Sequence, residues 1–245
     1  MSVLVCAATR AELRACERGI AASEAAADFA TLQTGVGPVH AARSLEACLR
    51  HEPRPALVVS SGFAGALSGR LAVGDWVTAH SLTSVDGAAH AVVEVTLREA
   101  TAPAVAVSLV SSSQVVAGVS TLPVPARGAE AVDMESATLG RIAGRLGIPL
   151  MVLRVVSDTP SRPLPPFVGA FGGAMAATDR AATAHHVARG LRQALGDPFG
   201  VARLLSDGSN LTRVLTQGWK GFARIVASAG QPGTEDAPPR DVGAQ

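Results

Sequence analysis

Two carboxylates each close an apolar run. Glu135 stands in Val132-Asp133-Met134-Glu135-Ser136, and Asp158 ends Arg154-Val155-Val156-Ser157-Asp158. If both runs are strands of an α/β protein, the acids come to rest at neighbouring strand ends, where the active sites of such folds collect. Glu135 could accept hydrogen bonds from both hydroxyls of a ribose and stabilise a sugar that becomes cationic at its transition state. Asp158, partly screened from water, would have a raised pKa and could give a proton to a departing purine at N7. The pair points to cleavage of the glycosidic bond of a nucleoside. Each acid also has a plainer reading. Glu135 suits a helix first turn, where the macrodipole favours a negative charge. Asp158 suits a cap in Ser157-Asp158-Thr159-Pro160.

Arg154 lies inside an apolar run, and a buried guanidinium needs an acidic partner. Glu12 is a candidate, because it follows the first apolar segment. A Glu12–Arg154 pair could hold a water, with Glu12 as general base; a structural ion pair is the simpler alternative. Gly35-Val36-Gly37 and Gly62-Phe63-Ala64-Gly65 follow expected strands and could bring backbone amides close to ribose or phosphate. Neither matches a Walker A or a dinucleotide fingerprint. His185 and His186 fall mid-helix on different faces, which argues against a metal pair.

These residues need a scaffold of alternating strands and helices. Strands are expected at residues 3–8, 31–34, 56–60, 71–80, 91–97, 104–111, 131–134 and 148–156. Helices are expected after Thr9, after Pro38, over 136–146 and over 178–195, with one or two more over 198–229. Residues 61–65 read as a turn and 160–166 as a proline-rich loop. The pattern implies an α/β fold, a three-layer sandwich with a central mixed β-sheet flanked by helices. Residues 1–196 form the expected catalytic domain, 197–229 a C-terminal helical extension and 230–245 a disordered tail rich in Pro, Gly and acids.

Composition narrows the function. The 245 residues are 48% hydrophobic, enough for one substantial core. Formal net charge is +1 without a basic stripe, and aromatics make up 3%, so neither duplex nor single-stranded nucleic acid is an expected partner. Cys6, Cys16 and Cys48 fit no zinc spacing and read as reduced, buried thiols of a cytoplasmic protein. No apolar run reaches membrane-spanning length.

Taken in order, the segments Ala7-Ala8-Thr9-Arg10-Ala11-Glu12-Leu13, Thr34-Gly35-Val36-Gly37-Pro38, Ser61-Gly62-Phe63-Ala64-Gly65-Ala66-Leu67, Val73-Gly74-Asp75 and the two acidic motifs resemble the nucleoside phosphorylase and nucleosidase superfamily. The Met-Glu motif followed by Arg-x-x-Ser-Asp is characteristic of the branch containing methylthioadenosine/S-adenosylhomocysteine nucleosidases. The stretch from Ser157 to Pro166 looks most like hopanoid-associated phosphorylases, thought to remove adenine from adenosylhopane, and the first segment is also similar to futalosine hydrolases. The resemblance implies a nucleoside phosphorylase-like fold and a purine nucleoside substrate, with adenine released. It implies that Asp158, Glu12 and Arg154 are catalytic, Asp158 protonating the purine while Glu12 and Arg154 order a water. Glu135 and Met134 would hold the ribose, with Phe63, Ala64, Gly65 and Val36 also lining the substrate site. No cofactor or metal is implied; phosphate is a possible cosubstrate, for which Arg10, Arg43 and Arg127 are available. A homodimer is implied. A greasy substrate would suit the Leu/Val-rich residues 201–226, which could border an apolar site or give peripheral membrane contact; core packing is the competing account. The chain departs from the family where a frequent Ser is Phe63, and where Val110-Ser111-Ser112-Ser113-Gln114 replaces an aromatic-rich purine segment. Those departures motivate a second reading, a nucleoside-binding module without catalysis.

Overall fold

A computed structural model describes residues 2–85, 89–90, 104–116, 122 and 126–229. The strands are β1 (Val3–Ala7), β2 (Phe29–Gln33), β3 (Leu57–Ala66), β4 (Trp76–Ser84), β5 (Ala89–His90), β6 (Val105–Ser111), β7 (Ala131–Asp133) and β8 (Leu150–Asp158). The helices are α1 (Arg10–Ala21), α2 (Pro38–His51), α3 (Ser136–Arg145), α4 (Pro166–Ala176), α5 (Arg180–Leu195) and α6 (Pro198–Ala229). The expected strand at 91–97 and the expected tail at 230–245 lie outside the described residues.

Hydrogen bonding runs β2-β1-β3-β7-β6-β4-β5, and β8 joins β3 to β4. The sheet is mixed: β1 runs parallel to β2 and β3, while β4 opposes β8 and β7 opposes β3. The pairings β3–β8–β4–β6–β7–β3 close on themselves, so one end of the sheet curls into a ring. Helices cover both faces, as expected of a three-layer α/β sandwich.

Side-chain alternation explains the burial. Leu4 and Cys6 of β1, Val58 of β3 and Leu150, Val152 and Val156 of β8 join one cluster with α2 and α3. Val3, Val5, Val59, Met151, Leu153 and Val155 point the other way, into a cluster with α1 and α6. Strands covered on both faces carry near-continuous apolar sequence. The even-numbered face of β8 turns toward α3, which is why Arg154 meets the acids at the start of that helix.

Two expectations are corrected and one helix is added. Residues 61–65 are not a turn, since β3 continues through them to Ala66. The strand expected at 71–80 begins only at Trp76. Helix α4 begins at Pro166, immediately after the proline-rich loop, and was not anticipated. Residues 201–226 divide in two. From Leu211 onward the helix is core: Leu215, Trp219, Phe222 and Val226 are fully buried against α1 and the sheet. Each such side chain contributes about 1.5–3 kcal/mol of burial free energy. No helix among the described residues is long and apolar enough to cross a membrane.

Candidate active site

Helix α1 begins with a reciprocal cap. Thr9 Oγ1 accepts from the Glu12 N–H (3.3 Å), while Glu12 Oε2 accepts from the Thr9 N–H (2.8 Å) and the Thr9 hydroxyl (2.7 Å). The other oxygen, Oε1, accepts from the backbone N–H of Phe63 (2.9 Å). A carboxylate offers about four acceptor positions. Glu12 is therefore buried and fixed in orientation, with little acceptor capacity left to meet a water.

Strand register delivers the next groups. In the β3–β8 pair Gly62 lies opposite Arg154 and Gly65 opposite Asp158, with the register shifting between Ala64 and Gly65. Gly62 has φ +135°. A Cβ there would collide with Glu12 Oε1 and lie 3.2 Å from Arg154 Nη1. Glycine at this position is what lets the acid and the guanidinium approach the same stretch of strand.

The expected Glu12–Arg154 ion pair is not the one that forms. Arg154 Nη2 lies 2.7 Å from Asp133 Oδ2 and 3.4 Å from Glu135 Oε2. It also donates to Ser60 Oγ (2.8 Å), and Nη1 donates to the Phe63 carbonyl (3.1 Å). The Phe63 backbone thus links the two residues, its N–H bonded to Glu12 and its C=O to Arg154. The physical reason is the face of β8 on which Arg154 stands, which looks toward the start of α3.

Asp133 was not anticipated as a site residue. It is buried, accepts from Ser111 Oγ (2.5 Å) and from the Ser136 hydroxyl, and caps α3 through the Ser136 N–H (3.3 Å). It stands two residues before Glu135, the N-cap of α3, and its carboxylate type in an otherwise apolar run was the available signal. Glu135 is the N-cap residue of α3 but makes no side-chain cap of its own. Glu135 instead accepts from the Gly37 N–H (2.8 Å) through Oε1. That amide, expected to approach a ligand, is thereby already engaged. Gly35 and Gly37 have φ +81° and +85°, which shapes the turn into α2. Burial pushes the Glu135 carboxyl up to about 7; Arg154 opposes this and Asp133 adds to it.

Asp158 is half-buried, and its Oδ1 accepts from the Ser157 hydroxyl (2.6 Å). Burial raises its pKa, against the lowering effect of that hydrogen bond. The turn at Thr159–Arg162 is closed by Thr159, whose Oγ1 accepts from the Arg162 N–H (3.1 Å), which leaves Asp158 directed to the cleft.

All nine expected residues line one cleft of about 180 Å³: Asp158, Glu12, Arg154, Glu135, Met134, Phe63, Ala64, Gly65 and Val36. Gln114, from the segment that departs from the family, lines it too, and Asp133, Val115, Val116, Val132 and Leu164, which were not singled out, complete much of the wall. The four apolar side chains gave no chemical signal. Arg10, Arg43 and Arg127 do not line it; Arg127 Nε donates to the Leu122 carbonyl (3.1 Å). Chemically, the cleft pairs an acid able to hold a proton with a buried, oriented carboxylate. That arrangement suits protonation of a leaving group and stabilisation of positive charge.

No family model matches the chain, and no curated protein does. Solved structures do share the fold. A futalosine hydrolase mutant of Helicobacter pylori superposes with TM-score 0.57 at 16% identity, covering 80% of this chain and 99% of that one. The Streptococcus pneumoniae (S. pneumoniae) 5'-methylthioadenosine/S-adenosylhomocysteine nucleosidase with a transition-state inhibitor gives 0.55 at 18%, covering 91% and 100%. An aspartate-to-asparagine mutant of the Helicobacter pylori nucleosidase, with 5'-methylthioadenosine in its active site, gives 0.59 at 14%, covering 93% and 98%. The chain therefore has the nucleosidase fold.

Proposed function

We propose that the chain is a purine nucleoside N-glycosidase that releases adenine from a 5'-substituted adenosine. The observation that carries this is the shared cleft: Asp158 and Glu135 line the same cavity on the nucleosidase fold. Asp158 donates a proton to N7 of the departing purine. Glu135, held by Gly37 and Arg154, accepts from the ribose hydroxyls and stabilises the developing oxocarbenium charge. Met134 packs on the sugar. Glu12 receives the proton of the attacking water through its remaining acceptor position, and Arg154 holds Glu135 and the Phe63 peptide in place.

Water is the favoured nucleophile over phosphate. Arg154 is the one cation lining the cleft among the described residues, and two carboxylates neutralise it. A phosphate would face Glu12, Asp133, Glu135 and Asp158 without a free arginine. The departure at Phe63 does not weigh toward a module without catalysis. Its backbone, not its side chain, bonds Glu12 and Arg154.

A mostly apolar cavity of about 250 Å³ adjoins the cleft, sharing Phe63, Ser157 and Leu164 and adding Val168, Leu204 and Leu211, with Arg162, Arg203 and Asp207 also in its lining. Its lining favours a nonpolar substituent, which keeps adenosylhopane and a place in hopanoid biosynthesis as the first substrate reading. Hydrolysis of futalosine, methylthioadenosine or S-adenosylhomocysteine is the alternative. A release assay across these four nucleosides, with and without phosphate, tests the reading. Free sugar without phosphate and fastest turnover of the most apolar substrate are expected. Sugar 1-phosphate as product, or a preference for the polar substrates, would overturn the corresponding part.

A further inference from the structure

Helix α5 packs the protein with its polar and small side chains and turns its apolar stripe outward. A Cβ at Gly190 would lie 2.9 Å from the Phe171 ring, and one at Gly173 would lie 2.8 Å from His186 Nδ1, so these glycines mark the close α4–α5 contact. On the other side Val187, Leu191 and Leu195 follow at intervals of four, one above another on the helix surface. Leu191 is 53% exposed and Leu195 85%. Beyond the bend, Phe199 is 87% and Leu205 69% exposed at the start of α6. A run of large apolar side chains this exposed marks an interaction surface.

The charge around it is net positive. Residues 179–207 carry Arg180, Arg189, Arg192 and Arg203, all exposed, against Asp179, Asp197 and Asp207. All three acids are engaged: Asp179 and Asp197 accept from the Ala182 and Gly200 N–H groups (2.7 and 2.8 Å), and Asp207 pairs with Arg162 (2.7 Å). Arg189, Phe199 and Arg203 also rim a cavity of about 750 Å³ that reaches Asp158, Leu164 and Val115 of the cleft.

We propose that this face docks on an anionic membrane surface, with Leu191, Leu195, Phe199 and Leu205 entering the headgroup region and the arginines meeting lipid phosphates. Apolar burial and attraction to anionic headgroups act together on such a surface. A second copy is disfavoured as the occupant, because a two-fold contact would bring the same arginines against one another. The proposal does not depend on which nucleoside is cleaved.

The test is co-sedimentation of the full chain with vesicles of phosphatidylcholine alone and of equal parts phosphatidylcholine and phosphatidylglycerol. Binding to the anionic vesicles, weakened by salt, is expected. Leu191→Ser with Leu195→Ser should weaken it roughly tenfold or more, and Arg192→Glu should weaken it further at low salt. Turnover of a soluble nucleoside should stay unchanged in these variants, which also shows that they fold. Asp158→Asn should bind vesicles normally. No preference for anionic vesicles, or undiminished binding by the double variant, would overturn the proposal. So would a concentration-dependent dimer, without vesicle binding, that the same substitutions dissociate.

Discussion

Arg154 Nη2 lies 2.7 Å from Asp133 Oδ2 in a fully buried ion pair. The same carboxylate caps α3 and accepts from Ser111 and Ser136. One acid therefore sets the helix start and neutralises the cation that holds Glu135. Removing one partner of a buried pair leaves a charge without compensation, typically at a cost of about 3–5 kcal/mol. Asp133→Ala should lose stability on that scale in urea unfolding and lose activity with it. Asp133→Asn should retain the shape of the cap yet still be destabilised.

The glycine at 62 makes a sharper test of positioning. Gly62→Ala adds strain at φ +135° and pushes against the Glu12 carboxylate. Gly74 has φ +95°, and nothing lies within 4 Å of a Cβ placed there. Both alanine variants should lose about 1–3 kcal/mol of stability from backbone strain. Only Gly62→Ala should also lose turnover, by roughly 10²-fold or more if Glu12 is the general base. Melting curves and steady-state rates on both variants separate the two effects.

Glu135 ties stability to pH. Its carboxyl rises from an ordinary 4.5 to about 7 in the folded chain. Between those values the folded state binds a proton that the unfolded state has released. Stability from this group is therefore greatest at low pH and falls as pH rises toward 7, by at most about 1.4 kcal/mol per pH unit. Asp158, also raised, acts with the same sign. Glu135→Gln should flatten the decline in denaturant midpoints between pH 5 and 7. Nucleoside affinity should run oppositely, weakening below about 7 as the sugar-binding carboxylate gains its proton.

The last helix should prove integral to the domain. Trp219 is fully buried, donates from its indole N–H to Ser61 Oγ (2.9 Å), and meets Phe29 edge-on at 5.9 Å. Trp219→Ala should cost about 3–5 kcal/mol, measured by thermal unfolding with the vesicle-docking face left intact.

Much of this was legible in the chain itself. The apolar run over residues 148–156 announced the buried strand found at Leu150–Asp158, and Pro38 and Thr9 announced helix starts. All nine residues expected at the site line one cleft, because strand ends gather in α/β folds. Other features needed three dimensions. The glycines at 62 and 65 looked like turn formers, but they sit inside β3 to admit Glu12 and Asp158. Helix α4 hid behind Pro165 and Pro166 and the glycines Gly169, Gly172 and Gly173, which weaken any helical signal. Arg154's choice of Asp133 and Glu135 over Glu12 depends on which face of β8 it occupies. Residue types and spacing alone leave that open.

The central claim is a proton delivered by Asp158 to a purine held over Glu135. Adenine release from a 5'-substituted adenosine, compared between the native chain and Asp158→Asn at equal nucleoside occupancy, tests it most directly. The native chain should release adenine without added phosphate, and Asp158→Asn should bind the nucleoside yet turn over about 10²–10⁴-fold more slowly. Undiminished release by Asp158→Asn, or none from a native chain that binds the nucleoside, would contradict it.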